Sequence, residues 1–234
     1  MESIDTPTQL APIARPKPKR SASRDALSIA QLDRPVEADL AFARMLSVHI
    51  ALQNKIAQLS FTDSLTGLKN RPALLISLQR AIDKSRELQS YAAVLLVDID
   101  DFKSHNVHLG HLAGDMLLQQ SARRISQTLG PDVAVARLFA DKFVIVLEGL
   151  GDTADTAGID AQHRASRINN CFSQAFNTEA GTVNLSVSMG LCLIGVQDTI
   201  STDVLIDRAE LVAYNAKQAG GGCMFSFEFG AMEH

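Results

Sequence analysis

Apolar positions divide the chain into a polar arm, one long amphipathic helix and a region of alternating helices and strands. Residues 37–60 carry apolar residues at steps of three and four, which is typical of a helix with a single apolar stripe. The stripe consists of Met45, Val48, Leu52, Ile56 and Leu59. We expect it to pack on the following domain or, as the favoured alternative, on a second copy as a short parallel coiled coil, which would make a homodimer.

The first 36 residues are predicted to be a disordered arm. Residues 1–35 hold five of the seven prolines, and a basic cluster lies at Arg15–Arg20. Such a segment buries too little apolar surface to offset the entropy of ordering it. We expect the cluster to be a solvated tail, and contact with an anionic surface is the alternative.

Residues 61–234 are predicted to form one α/β domain. Helical spacing is found at 71–88, 111–129, 160–176 and 201–219, with Ser201 or Thr202 as the N-cap of the last helix. Strand patterns are found at 91–99, 133–138, 142–148, 183–194 and 223–229, and residues 149–158 have the composition of a loop. This order predicts a single central sheet with helices packed on it, related to the split βαβ arrangement.

Composition and charge indicate the cellular compartment and the classes of binding partner to expect. The net charge of −4 provides no field that would favour nucleic acid or an anionic membrane. The three cysteines, Cys171, Cys192 and Cys223, fit no metal-ligand spacing, and their odd number suits a reducing compartment. The sequence has neither a membrane-spanning apolar run nor the apolar core of a secretion signal. We therefore expect a cytoplasmic protein with no nucleic-acid or membrane partner.

Acidic residues lie at the end of the strand predicted at 91–99 and directly after it. Asp98, Asp100 and Asp101 come directly after an apolar run. Carboxylates at the end of a buried strand are costly unless they are hydrated or bound to cations, and ligands often bind at such strand ends. A solvated acidic turn and a ligand site are equally compatible with this pattern alone.

Four motifs, in order along the chain, resemble those of GGDEF domains, the family of diguanylate cyclases. The resemblance spans about residues 61–229 and becomes specific because all four motifs occur together. The matching segments are Asp63–Arg71 (DSLTGLKNR), Asp98–Lys103 (DIDDFK) followed by Asn106, Gly110–His111 and Gly114–Leu118 (GDMLL), then Val187–Gly190 (VSMG) and Ala209–Lys217 (AELVAYNAK).

The resemblance implies a palm-like domain with a mixed, mostly antiparallel central sheet surrounded by helices and preceded by an N-terminal helix. It also implies a reaction in which two GTP molecules on facing domains condense to cyclic di-GMP with Mg²⁺ as cofactor. By position, Asp98, the Ile99 carbonyl and Asp141 match the metal ligands. The side chains of Asn106 and Asp115 match those that read guanine, and Lys103 and Lys217 match positions near the phosphates.

The hairpin Phe139-Ala140-Asp141-Lys142-Phe143 departs from the family pattern. Phe139 and Ala140 replace two glycines, and we expect the Phe139 ring to fill space that the triphosphate needs. Lys142 replaces a glutamate, and Gly220–Gly222 lacks the arginine of the family's G-R-N. The stretch Gly130–Val133 lacks the R-x-x-D motif, so we expect no inhibitory cyclic di-GMP site there.

These departures favour a catalytically impaired GGDEF domain that acts as a nucleotide-sensing or protein-interaction module in cyclic di-GMP signalling. Its expected partners are a guanine nucleotide and a protein of this or a related pathway. One alternative is a cyclase with residual activity, and the other is a scaffold that binds no nucleotide. A further hypothesis places the Lys142 ammonium between Asp98 and Asp141, where Mg²⁺ would otherwise lie.

Overall fold

Before position 61, the structure describes only helical residues. The computed structural model of the chain describes residues 40, 42–50, 52–53, 61–179 and 181–227. All described residues before position 61 are helical, as predicted for residues 37–60. Met45, Val48 and Leu52 of the apolar stripe are exposed; Ile56 and Leu59 lie outside the described residues, as does the arm. Pairing with a second copy stays a prediction.

From residue 61 onward, the described chain contains five helices and seven strands. The helices are α1 (Arg71–Leu88), α2 (Phe102–Leu109), α3 (His111–Leu129), α4 (Ala154–Phe172) and α5 (Thr202–Gln218). The strands are β1 (Ala92–Ile99), β2 (Ala134–Phe139), β3 (Lys142–Leu147), β4 (Phe176–Thr178), β5 (Gly181–Val183), β6 (Val187–Ile194) and β7 (Met224–Phe227). None of the described helices has the length and apolar character needed to cross a membrane.

Five of these strands form one mixed sheet with β1 at its centre. The strand order is β2-β3-β1-β6-β7. The first three contacts between neighbouring strands are antiparallel, and β6 and β7 run parallel. Strands β4 and β5 form a separate two-stranded ribbon. The predicted fold class, with a mostly antiparallel central sheet, is confirmed.

Helices cover both faces of the sheet. All eight residues of β1 are buried, as expected for a strand with apolar layers on both sides. Val94 and Leu96 pack in a core with residues of α1 and α5. Leu95 and Val97 belong to a second core, with residues of α3 and α4. The charged end of β1 therefore leads out of a strand that is buried along its whole length.

Side-chain caps fix where several helices begin. Asn70 accepts a hydrogen bond from the Ala73 N–H, and a proline lies in the first turn of α1. Ser201 accepts from the Val204 N–H, which confirms it as the N-cap of α5. Thr153 caps α4 in the same way through the Thr156 N–H. Because of this cap, α4 begins at Ala154, and the predicted start at 160 and the predicted loop at 149–158 are wrong in part.

Other elements also differ from the prediction. The helix predicted to end at 176 ends at Phe172, and strand β4 (Phe176–Thr178) was not predicted. The strand predicted at 183–194 is divided into β5 and β6, because Val183 of β5 pairs with Phe176 of β4 in the separate ribbon, whereas β6 pairs with β1 in the central sheet. Helix α2 was not predicted, because its eight residues are too few and too polar for an apolar period to stand out. It follows Asp101, whose φ is 52°.

Close packing of α5 on the sheet depends on Gly190 in β6. A Cβ added at Gly190 would lie 2.2 Å from the Ala209 carbonyl oxygen and 2.5 Å from the Ala213 nitrogen. Both atoms belong to the backbone of α5, so no side-chain rotation relieves the contact. Gly190 thus sets the distance between β6 and α5.

Replacing Gly190 by alanine is expected to destabilise the domain by about 3 kcal/mol, since overpacking against backbone forces α5 away from the sheet. Denaturant titration followed by circular dichroism measures the change. Gly158→Ala is the matched control, because its added Cβ would meet its nearest atom only at 3.9 Å, in ordinary contact. Equal stabilities of the two variants would contradict this account of Gly190.

Candidate active site at the end of strand β1

The end of β1 lies between the turn of the β2–β3 hairpin and the start of β6. Asp98 is opposite Lys142 in β3 and Ser188 in β6. The Ile99 N–H donates to the Asp141 carbonyl at 3.4 Å. The structure thus brings together the three residues that the sequence marked as possible metal ligands, with Asp98 only 9% exposed.

The cation found at this point is Lys217 of α5. Its Nζ donates to Asp98 Oδ1 at 2.7 Å and to the Ile99 carbonyl at 3.3 Å. Burial alone would lower the pKa of Lys217, but the hydrogen bond and charge of Asp98, with Asp141 and Asp100, raise it overall. Lys217 therefore carries a positive charge, and its ammonium binds Asp98 and Ile99, two of the predicted metal ligands.

Lys142 takes a different partner from the one predicted. Its Nζ donates to Glu210 Oε1 at 3.2 Å and lies 4.6 Å from the centre of the Phe139 ring. The hypothesis that Lys142 is the cation at Asp98 is wrong, since Lys217 forms the ion pair with Asp98.

The periodicity of α5 explains this exchange of partners. Directly opposed residues of an antiparallel pair point to the same face, so Asp98 and Lys142 both face α5. Glu210 and Lys217 are seven residues apart on α5, which is two turns or about 10 Å along one side of the helix. Each charge on the sheet therefore meets an opposite charge on α5.

Hydrogen bonds from Arg137 stabilise the hairpin turn. Its guanidinium donates to the Ala140 carbonyl at 2.9 and 2.7 Å and to the carboxylate of Asp63 at 3.2 Å. Ala140 has a φ of 47°, in the left-handed region that glycine adopts more easily. Phe139 is 51% exposed, whereas Phe143, the last residue of the altered hairpin, is part of the core.

The Asp141 carboxyl lies beside a second carboxyl. Burial, followed by the charge of Asp98, raises the pKa of Asp141, while Lys217 and Lys142 oppose the rise. The oxygens of Asp98, Ile99 and Asp141 are chemically suited to Mg²⁺. As arranged, however, two of them are bound to the Lys217 ammonium, and the described residues include no group of three or more His, Cys, Asp or Glu side chains placed to hold a metal ion. The donor types fit the metal, and Asp98 Oδ1 and the Ile99 carbonyl are hydrogen-bonded to Lys217.

Asp100 is a structural residue and not part of a solvated acidic turn. Its carboxylate accepts from the hydroxyls of Ser186 and Ser188 at 2.7 and 2.6 Å and from the Gly222 N–H at 2.9 Å. A Cβ at Gly221 would lie 3.1 Å from Asp100 Oδ2. Asp100 thus fastens the start of β6 and the glycine segment before β7 to the end of β1.

The residues predicted to read guanine lie at the α2–α3 junction. The Asn106 side chain packs on Gly114, where an added Cβ would lie 1.7 Å from Asn106 Oδ1. Gly114 directly precedes Asp115, so the fold brings Asn106 and Asp115 to one region. Asn106 Oδ1 is buried without a hydrogen-bond partner among the described residues, which is unusual for an amide oxygen. Asp115 and the predicted phosphate contact Lys103 are exposed.

Sequence reasoning missed three residues that organise this region. Arg137 and Glu210 were given no role, and Asp100 was considered only as part of an acidic turn or ligand site, although each makes contacts that fix the hairpin, α5 or the glycine segment. Glu210 had a usable signal, since it lies seven residues before Lys217 on a predicted helix. The Arg137–Asp63 contact and the contacts of Asp100 span long distances in sequence and carry no periodic signal.

Taken together, the acidic end of a central strand and the adjoining hairpin define a palm-like α/β domain. Residues 60–223 match the family model described as "Diguanylate cyclase, GGDEF domain". The chain belongs to the GGDEF domain family, as the motifs predicted.

Similar proteins agree with this assignment. The bifunctional diguanylate cyclase/cyclic di-GMP phosphodiesterase MucR of Pseudomonas aeruginosa is 32% identical over 209 residues, covering 88% of this chain and 29% of MucR. The solved GGDEF domain of TpbB (YfiN) from the same species is 33% identical with a TM-score of 0.64, covering 70% of this chain and 93% of that one. The diguanylate cyclase SiaD, solved with its activator SiaC, shares the fold at 23% identity and a TM-score of 0.64, covering 88% of this chain and 78% of SiaD. The chain spans about a fifth to a half of the length of its curated relatives.

The Asp63–Arg137 contact is expected to give a pH-dependent contribution to stability. Burial alone would raise the pKa of Asp63, but hydrogen bonds from Thr66 and the charge of Arg137 lower it overall from 3.8. Because the pKa of Asp63 is lowered in the folded state, the stabilisation is complete above the ordinary pKa of 3.8. It is lost as the pH falls through the lowered pKa of the folded state.

Asp63→Asn is accordingly expected to reduce the free energy of unfolding by about 1–3 kcal/mol at neutral pH, as for a hydrogen bond to a charged group. The difference from the wild type should shrink below about pH 4. Asp132→Asn, at an exposed carboxylate, is the control and should change little at either pH. A pH-independent loss in Asp63→Asn would refute the electrostatic explanation.

Proposed function

We propose that this GGDEF domain is catalytically impaired and serves as a regulatory module of cyclic di-GMP signalling, through nucleotide sensing or protein interaction. The observation that carries the proposal is the pairing of the site's charges within the chain. Lys142 binds Glu210 and Lys217 binds Asp98, so the cations at the hairpin and at the predicted metal ligand Asp98 are already engaged.

The chemistry of nucleotide condensation supports this proposal. Such a reaction depends on positioning and on neutralising phosphate charge, and removal of one preorganised electrostatic contact commonly lowers the rate by ~10²–10³. Here the glycine pair, the glutamate and the arginine of the family pattern are all replaced. These losses need not be independent, but together they leave little cyclase activity.

Retained nucleotide binding is supported by the guanine-reading region. Asn106 and Asp115 keep the amide and the carboxylate that pair with the donor and acceptor edges of guanine. Their surroundings are also kept, since Gly114 leaves the space that Asn106 occupies. Lys103, which the resemblance places near the phosphates of such a ligand, is exposed at the start of α2.

The signalling role is supported by the relatives. MucR and TpbB carry names of cyclic di-GMP enzymes, and SiaD was solved with a protein activator. We extend these roles to the present chain as a proposal: its protein partner belongs to the same or a related pathway. Homodimerisation through residues 37–60 is part of this proposal.

Calorimetric titration with GTP, with and without Mg²⁺, tests the proposal when it is paired with chromatographic detection of product. We expect GTP or GDP to bind and no cyclic di-GMP to form. Formation of cyclic di-GMP would instead support the alternative of a cyclase with residual activity. If GTP, GDP and cyclic di-GMP all fail to bind, the alternative of a nucleotide-free scaffold replaces the proposal.

A substitution at Asp115 tests the guanine site itself. Asp115→Asn is expected to weaken GTP binding by about tenfold or more, because a charged hydrogen bond to guanine is lost. Asp83→Asn on the exposed side of α1 is the matched control and should leave the affinity unchanged. An unchanged affinity in Asp115→Asn would remove Asp115 from the nucleotide site.

A further inference from the structure

Three features of the Lys217 contact set it apart from an ordinary surface ion pair. The ammonium contacts a carboxylate and a backbone carbonyl at once, through Asp98 and Ile99. The side chain of Asp98 is only 13% exposed and that of Lys217 is 33% exposed. A second carboxyl, Asp141, is close enough to influence Lys217 electrostatically.

A mixed set of carboxylate and carbonyl oxygens is what a hard divalent cation prefers. We infer that in the chain without bound nucleotide the Lys217 ammonium takes the place of that cation, so that the site at Asp98 and Ile99 binds Mg²⁺ and similar ions only weakly. A divalent ion would have to displace the ammonium from both oxygens and then remain beside its positive charge.

Lys142 strengthens the exclusion. It lies in the β3 position opposite Asp98, and its charge acts on Asp141. The ion pair with Glu210 holds this second ammonium in place at the hairpin. An incoming divalent ion thus meets two tethered ammonium groups in a site where Asp98 and Asp141 supply the negative charge.

This inference deepens the proposed function, because any nucleotide held by Asn106 and Asp115 would then bind without a requirement for Mg²⁺. It rests on the proposed function only in that respect. Metal binding to the chain alone is a separate property, and it is measured without nucleotide. A negative GTP titration therefore leaves the metal test intact, and a failed metal test leaves the nucleotide result intact.

The test is a Mn²⁺ titration of the full chain, with free Mn²⁺ measured by electron paramagnetic resonance. The wild type is expected to bind Mn²⁺ weakly, and Lys217→Met should bind one ion about tenfold more tightly or better, because a unit positive charge at contact distance is removed. Lys142→Met should give a smaller gain. Lys69→Met, at an exposed lysine, is the matched control and should behave as the wild type.

A double variant shows whether the gain arises at this site. Asp98→Asn combined with Lys217→Met should lose the tighter binding. Equal Mn²⁺ affinity of the wild type and a folded Lys217→Met variant would overturn the inference, and so would a gain that survives in the double variant. Thermal melting by circular dichroism establishes folding, and Lys217→Gln is the second uncharged variant. Should both unfold, stoichiometric and tight Mn²⁺ binding by the wild type alone would still overturn the inference.

Discussion

The ion pair between Lys217 and Asp98 is the interaction on which the arrangement of the site depends. Strand β1 is buried along its whole length, so the charge at its end needs a partner that reaches it from another element. Helix α5 supplies this partner because it packs directly on the sheet. That approach is possible because Gly190 in β6 leaves room for the backbone of α5 at Ala209 and Ala213. One turn beyond Ala213, Lys217 reaches Asp98.

The same packing of α5 on the sheet also stabilises the altered hairpin. Lys142 is opposite Asp98 and faces α5, where Glu210 meets it two turns before Lys217. The charge reversal at position 142 is therefore compensated within the fold. Arg137 holds the Ala140 carbonyl and keeps the turn in its left-handed conformation. The hairpin is thus held by hydrogen bonds and an ion pair within the chain.

Much of this architecture follows from the sequence. Helix α1 and helix α3 were predicted with the observed bounds, because their apolar stripes are long and regular. The burial of β1 was evident from its continuous apolar run. Helix α2 and the break before β6 were not predicted, since α2 is too short for a period and the break arises because β5 pairs with β4 while β6 pairs with β1.

The site was predicted less completely than the fold. Family motifs pointed to Asp98, Ile99 and Asp141, and the structure brings these three residues together. Which lysine binds Asp98 was not evident from sequence, because it depends on the face of α5 that packs against the sheet. Local patterns identify charged residues, whereas the pairing of Lys142 with Glu210 and of Lys217 with Asp98 is decided by tertiary contacts.

The most direct test of the central claim observes the Lys217 ammonium itself. In a chain labelled with ¹⁵N-lysine, the side-chain resonance of Lys217 is assigned by its loss in Lys217→Arg. The account predicts a slowly exchanging, hydrogen-bonded ammonium signal that stays in place when Mg²⁺ is added to millimolar concentration. A signal that shifts or vanishes as Mg²⁺ is added, while other lysine signals stay unchanged, would show that the metal displaces Lys217 and would contradict the account.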